Sequence, residues 1–158
     1  MSVQAVFDCM VFLQGAARAE GPAAACLRLA EAGHVELFLS VEVLDDVRDV
    51  LTRPRIRKKF PTLTYETVAA FLTRLGSFAH CLAETPSLIT LARDPKDEKY
   101  LKLAVAARAT HLVTWDQDLL SLMDNPGPDA QAIRGRLPHI AILDPVAFLR
   151  TLPLRQMP

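Results

Sequence analysis

Short apolar runs of strand type alternate with helix-type segments along almost the whole chain, and that alternation narrows the fold more than any other feature. The strand candidates are VQAVF (3–7), VELFL (35–39), HCLAE (80–84, edge-like), HLVT (111–114) and HIAIL (139–143). Strands this short and this apolar are expected where helices cover both faces of a sheet. Between them, Gly21-Pro22 opens a helix over AAACLRLAEAG (23–33), with Ala24, Leu27 and Ala30/Glu31 near helical spacing and Gly33 as its stop. Ser40 is placed to cap VEVLDDVRDVLT (41–52), which Pro54 ends. A third helix from about Thr64 to Phe78 gathers Val68, Phe71, Leu72 and Leu75 on one face. DEKYLKLAVAARA (97–109), a short helix in QDLLSLMD and a last one in PVAFLR complete the series. MVFLQGA after Asp8 reads as a loop, RPRIRKKFP as a basic turn, and Asn125-Pro126-Gly127-Pro128-Asp129 as a loop. Parallel βαβ connections join such elements naturally. The expectation is one α/β domain over residues 1–150 with a C-terminal tail at 151–158.

Composition agrees and removes several functional classes. An apolar content of 51% over 158 residues supports a core without disulfides. Lys+Arg and Asp+Glu each total 18, so attraction to phosphate must come from a local patch. Cys9, Cys26 and Cys81 are odd in number and share no CxxC spacing, which reads as small buried hydrophobes in a reducing compartment. No leader peptide and no apolar run of bilayer length is visible, so the expected location is the cytoplasm, without a membrane. The first strand is not followed by G-x-G-x-x-G, which argues against a dinucleotide enzyme. Asp8-Cys9-Met10 lacks the second acid of a D-x-D phosphatase.

The aspartates carry the functional reading. Asp8 ends the first strand and Asp116 follows the fourth. In open α/β sheets ligands sit beyond the carboxyl ends of the strands, where the strand order reverses. In the helix 41–52, Glu42, Asp45, Asp46 and Asp49 form an acidic stripe beside the packing face of Val43, Val47, Val50 and Leu51, and Asp46 lies on the border. Asp94 reads as a helix cap, with Pro95 at the first position and Asp97 sharing a face with Leu101, Ala104 and Val105. Asp118 starts the next helix or joins the acidic group. Gathered carboxylates repel one another unless a cation or a shared proton offsets their charge, and oxygen donors suit hard ions such as Mg²⁺ and Mn²⁺. Such ions activate water and stabilise charge on a phosphodiester, singly or as a pair about 4 Å apart.

Arg53, Arg55, Arg57, Lys58 and Lys59 lie in one basic run that would contact phosphate beside an acidic centre. Tyr65, Tyr100 and Trp115 are candidates for stacking on bases. His34, His80, His111 and His139 show no ligand spacing and read as packing or surface residues.

Four stretches in this order and spacing resemble the PIN-domain family, in particular its toxin-like single-domain branch: VFDCMVFLQGA, LSVEVLDDVRDVLTRPRIRKKF, RDPKDEKYLKLAVAARATHLVTWDQDLL and AILDPVAFL. The resemblance implies a three-layer α/β/α fold with a central parallel sheet in the order 3-2-1-4-5. It implies Mg²⁺ or Mn²⁺ bound by Asp8, Asp46, Asp97 and Asp116, with Asp118 as an extra acid in the last turn. It further implies cleavage of single-stranded RNA, a cognate antitoxin as partner, and a homodimer to which Phe12, Leu13 and the apolar face of the third helix would contribute. Two residues depart from the family pattern. Met10 stands where Asn usually orients the first carboxylate, and Trp115 stands where Gly is common. A thioether cannot supply an amide's donor and acceptor. The competing expectation is therefore a catalytically weak or inactive PIN-like protein that binds RNA or a protein partner.

Overall fold

VQAVF forms β1 (Val3–Phe7), in which Ala5, Val6 and Phe7 are wholly buried, as in a strand covered on both faces. The computed structural model describes residues 3–83 and 95–152. β2 (Val35–Ser40) pairs with one side of β1 in parallel, with Val3 opposite Val35, and β4 (His111–Val113) pairs with the other side, with Phe7 opposite Val113. β3 (His80–Leu82) extends the sheet beyond β2 and β5 (Ala141–Leu143) beyond β4, both in parallel. The order is β3-β2-β1-β4-β5, as expected, and helices on both faces complete three layers.

The carboxyl end of nearly every strand runs straight into a capped helix. Asp8 caps α1 (Cys9–Ala17) through Val11 N, and Ser40 caps α3 (Val41–Thr52) through Val43 N. Between them α2 (Pro22–Glu31) starts with Pro at its first turn. α4 (Pro54–Lys59) follows α3 at once, then α5 (Tyr65–Phe78), whose Thr64 and Thr67 form a capping box. A 3₁₀ turn at Pro95–Asp97 leads into α6 (Glu98–Ala107), which lies against β1, β2 and β4. α7 (Gln117–Leu120) and α8 (Pro128–Arg136) separate β4 from β5, and Asp144 caps α9 (Pro145–Thr151).

Three segments differ from the sequence expectation. The stretch MVFLQGA is not a loop but α1, the basic turn is α4, and the loop at 125–129 opens α8. In α1 the apolar residues Val11, Phe12 and Leu13 are consecutive, so the sequence shows no helical period there. The Asp8 cap and burial of all three set the conformation. Pro54 and Pro128 each stand at a helix start, where the missing N–H costs nothing. Phe12 and Leu13 are 0% and 1% exposed, so they belong to the core and are not available to a dimer partner. Cys26 is buried as expected, whereas Cys81 is exposed at the sheet edge. Among the described residues no helix is long and apolar enough to cross a membrane.

Candidate metal centre

Asp8 and Asp116 emerge from adjacent strands, β1 and β4, at their carboxyl ends. In the order β3-β2-β1-β4-β5 this is where the direction of winding reverses, the place where open α/β sheets present ligand-binding crevices. Asp8 is 4% exposed. Its Oδ1 accepts the Val11 amide at 3.0 Å and its Oδ2 accepts the hydroxyl of Thr114. The same Thr114 oxygen accepts the Asp116 amide at 2.9 Å, so one fully buried hydroxyl links the two acids. Asp116 Oδ1 in turn accepts the amides of Asp118 at 2.8 Å and Leu119 at 3.2 Å, which fixes it as the cap of α7.

Burial pushes the Asp8 carboxyl above its usual range. Hydrogen bonds from Thr114, Val11 and the Trp115 amide oppose that shift, and the neighbouring charge of Asp116 adds to it. A buried carboxylate beside a second acid is costly as it stands. A hard cation would offset both the burial and the repulsion, so the two side chains fit one.

Asp46 lies in a different setting. It is half-buried on α3, where its Oδ2 accepts the Tyr100 hydroxyl at 2.6 Å and lies 3.4 Å from Lys99 Nζ. Burial would raise its pKa, but the Tyr100 hydroxyl and the Lys99 charge outweigh it and hold the carboxyl below the usual range. The rest of the acidic stripe is solvated: Asp45 pairs with Arg48 at 3.4 Å, Asp49 with Arg53 at 2.6 Å and Glu42 with Lys102 at 3.2 Å. Cys9 lies within the field of both Asp46 and Asp8. Burial and the charges of Asp46 and Asp8 push its thiol up to about 12, against a hydrogen bond with Tyr100, so it stays protonated.

Asp97 is 7% exposed in the 3₁₀ turn before α6, and its side chain does not cap that helix. Asp94 lies outside the described residues. Asp118 is exposed and enters the site only through its backbone amide. Among the described residues, no three His, Cys, Asp or Glu side chains are grouped closely enough to hold a metal ion as a ready ligand set. The arrangement is a linked pair, Asp8 with Asp116, flanked by Asp46. Two carboxylates are a normal protein contribution to Mg²⁺, which keeps several of its waters.

Sequence reasoning does not single out Thr114 or Lys99. The Thr114 signal is weak, a polar residue at the end of a buried strand directly before Trp115-Asp116. Tyr100, a stacking candidate by sequence, is 2% exposed with its hydroxyl turned inward, so it is not available to a base. Trp115 packs half-buried, and its indole N–H donates to Gln14 Oε1 at 3.0 Å. Met10 is 41% exposed. In the basic run, Arg53 is bound to Asp49, and Arg57 donates to the Leu63 carbonyl and lies 4.1 Å over the Tyr65 ring. Arg55, Lys58 and Lys59 extend from α4, and Lys58 and Lys59 are exposed. A cleft of about 590 Å³, lined by residues including Gly15, Leu27, Phe71 and Phe78, contains none of the acids.

A parallel sheet of this order, with two acids joined through Thr114 at its switch point, defines a doubly wound α/β protein with an acidic crevice at the carboxyl end of its central strands. Residues 4–118 match the model of the PIN domain, and the chain belongs to that family. Membership brings a nuclease-related function at the family level. Among curated proteins none matches the chain.

Proposed function

We propose that this protein is a divalent-metal-dependent endoribonuclease that hydrolyses phosphodiester bonds of single-stranded RNA, in the manner of a toxin restrained by a cognate antitoxin in the cytoplasm. The observation that supports this most is the pair Asp8 and Asp116, joined through Thr114 at the sheet's switch point. Asp8 and Asp116 would hold Mg²⁺ or Mn²⁺, with Asp97 as a further acid of the same centre. The bound ion would supply an activated water and stabilise charge on the phosphodiester. Thr114 orients the Asp8 carboxylate and holds the Asp116 backbone, and the amides at the starts of α1 and α7 hydrogen-bond the two carboxylates. Arg55, Lys58 and Lys59, which extend from α4, would contact the phosphate backbone without reading sequence. Arg53 and Arg57 contribute less, because each already has an intramolecular partner.

The test is cleavage of mixed-sequence single-stranded RNA by the purified chain with Mn²⁺ or Mg²⁺, an EDTA control and an Asp116→Asn protein prepared identically. Metal-dependent cleavage lost in the variant is the expected result. Equal cleavage by both proteins would remove the proposed centre. A second reading, a weak or inactive PIN-like protein that binds RNA or a protein partner, is favoured by the exposed Met10 and by the ion pair that occupies Asp46. It predicts RNA binding without turnover in the same preparation.

A further inference from the structure

Asp46 already has both a cation and a hydrogen-bond donor from this chain. Lys99 Nζ lies 3.4 Å from its Oδ2, and the two side chains are only 20% and 22% exposed, so solvent screens the pair weakly. The Tyr100 hydroxyl donates to the same oxygen at 2.6 Å. That hydroxyl also accepts the Cys9 amide at 3.0 Å. Cys9 is the first residue of α1, where a backbone N–H has no partner within the helix, and it directly follows Asp8. The chain of contacts Asp46, Tyr100, Cys9 therefore ties α3 and α6 to the backbone that carries Asp8. A second divalent ion bound by Asp46 would face the Lys99 ammonium, a like charge in a poorly screened place.

We infer that the centre holds one divalent ion, at Asp8 and Asp116, and that Lys99 stands where a second ion would be bound. Asp46 is then a positioning residue that acts through Tyr100. This rests on the metal-dependent reading above and specifies its stoichiometry. Asp46→Asn keeps an acceptor for Tyr100, so it leaves ion affinity within about 10-fold, the mild end of what altering an outer partner costs. Asp8→Asn removes a ligand charge and weakens binding by roughly 100-fold or more, beyond the range for outer partners. Tyr100→Phe loosens the Asp8 backbone and costs about 10–100-fold. Lys99→Met exposes the Asp46 charge and admits a second ion, whereas Lys99→Arg keeps the count at one.

The experiment is titration of the chelator-stripped full chain with Mn²⁺, followed by calorimetry and by the electron paramagnetic resonance signal of free Mn²⁺. Thermal melts of each variant confirm that it is folded. One ion in the native protein, retained in Asp46→Asn and raised to two in Lys99→Met, is the expected result. Two ions in the native protein overturn the inference, as does Asp46→Asn falling with Asp8→Asn, or Lys99→Met remaining at one. In each of those cases metal binding itself stands. Absence of Mn²⁺ binding to the folded native chain overturns the inference together with the metal-dependent reading.

Discussion

Replacing Asp8 by Asn should stabilise the protein when metal is absent. The native carboxylate is 4% exposed and faces the charge of Asp116, and burial raises its pKa. Removing a buried charge recovers several kcal/mol. Two charge-assisted hydrogen bonds, from Val11 and Thr114, become ordinary ones at a loss of about 1 kcal/mol each. Asn caps helices as well as Asp, but its amide reverses one donor at Thr114, for about 1 kcal/mol more. The balance is a gain of about 1 kcal/mol, or a rise in Tm of roughly 2–4 °C for a chain of this size. A carboxyl whose folded pKa is raised contributes stability when protonated. That contribution is complete below the unfolded pKa and is lost as pH rises through the folded one. The Asn variant lacks this titration, so its advantage is full at pH 8 and shrinks as pH falls toward 4. Mn²⁺ at 100 times its Kd adds about 2.7 kcal/mol to the native protein alone and reverses the order. Thermal melts in EDTA from pH 4 to 8, then with Mn²⁺, test all three points. A variant less stable than the native protein in EDTA at pH 8, or an advantage that grows as pH falls, would refute the reasoning.

Thr114→Val keeps the shape of a fully buried residue but leaves both the Asp8 carboxylate and the Asp116 amide short of a partner. It should cost about 2–4 kcal/mol, seen as a fall in Tm of roughly 5–15 °C, and cost less in an Asp8→Asn background. Arg108 ends α6 with φ +53, a left-handed conformation that disfavours a side chain, so Arg108→Gly should raise stability by about 0.5–1 kcal/mol in urea titrations. Arg55→Gln with Lys58→Gln should weaken single-stranded RNA binding and reduce its log–log salt slope by about 0.7 for each phosphate no longer neutralised. An unchanged slope would show that α4 does not touch the backbone.

The central strands were legible because they are buried on both faces toward their carboxyl ends, and apolar runs such as Ala5, Val6 and Phe7, or Leu112 and Val113, carry that property in their composition. Strand order came from the resemblance, since nothing within β3 or β5 records which neighbour it takes. Helices with one buried face, α3 and α5, were readable from their spacing, with caps at Ser40 and Thr64. α1 was not, because its buried residues Val11, Phe12 and Leu13 are adjacent, and one consecutive block shows no helical period. α8 escaped for the opposite reason. Only Ala130 and Ile133 are buried, and its start is written in Pro128. At the site, Asp8 and Asp116 could be chosen from their places at strand ends. The role of Thr114 could not, because a hydroxyl shared between two acids is a matter of angle and distance. The Lys99–Tyr100–Asp46 contacts join residues more than fifty positions apart, and only packing of α6 beside α3 brings them together.

Capping alone does not account for the aspartates at the strand ends. Asp8, Asp116 and Asp144 cap α1, α7 and α9 through similar hydrogen bonds, and Ser40 does the same for α3 with no charge. If capping were the whole role, any of these positions would be served by Ser, Asn or Asp alike. Asp144 follows the edge strand β5 and remains half-exposed, a setting where a carboxylate costs little. Asp8 follows the central strand β1, is buried, and lies within the field of Asp116 from the neighbouring strand. A neutral cap would meet the needs of α1 there without the burial penalty. The charge at Asp8 is thus explained by neither helix nor core. Under the metal-dependent function proposed above, a cation at the switch point would offset that charge, and the gain in stability on Asp8→Asn measures the excess cost of the carboxylate.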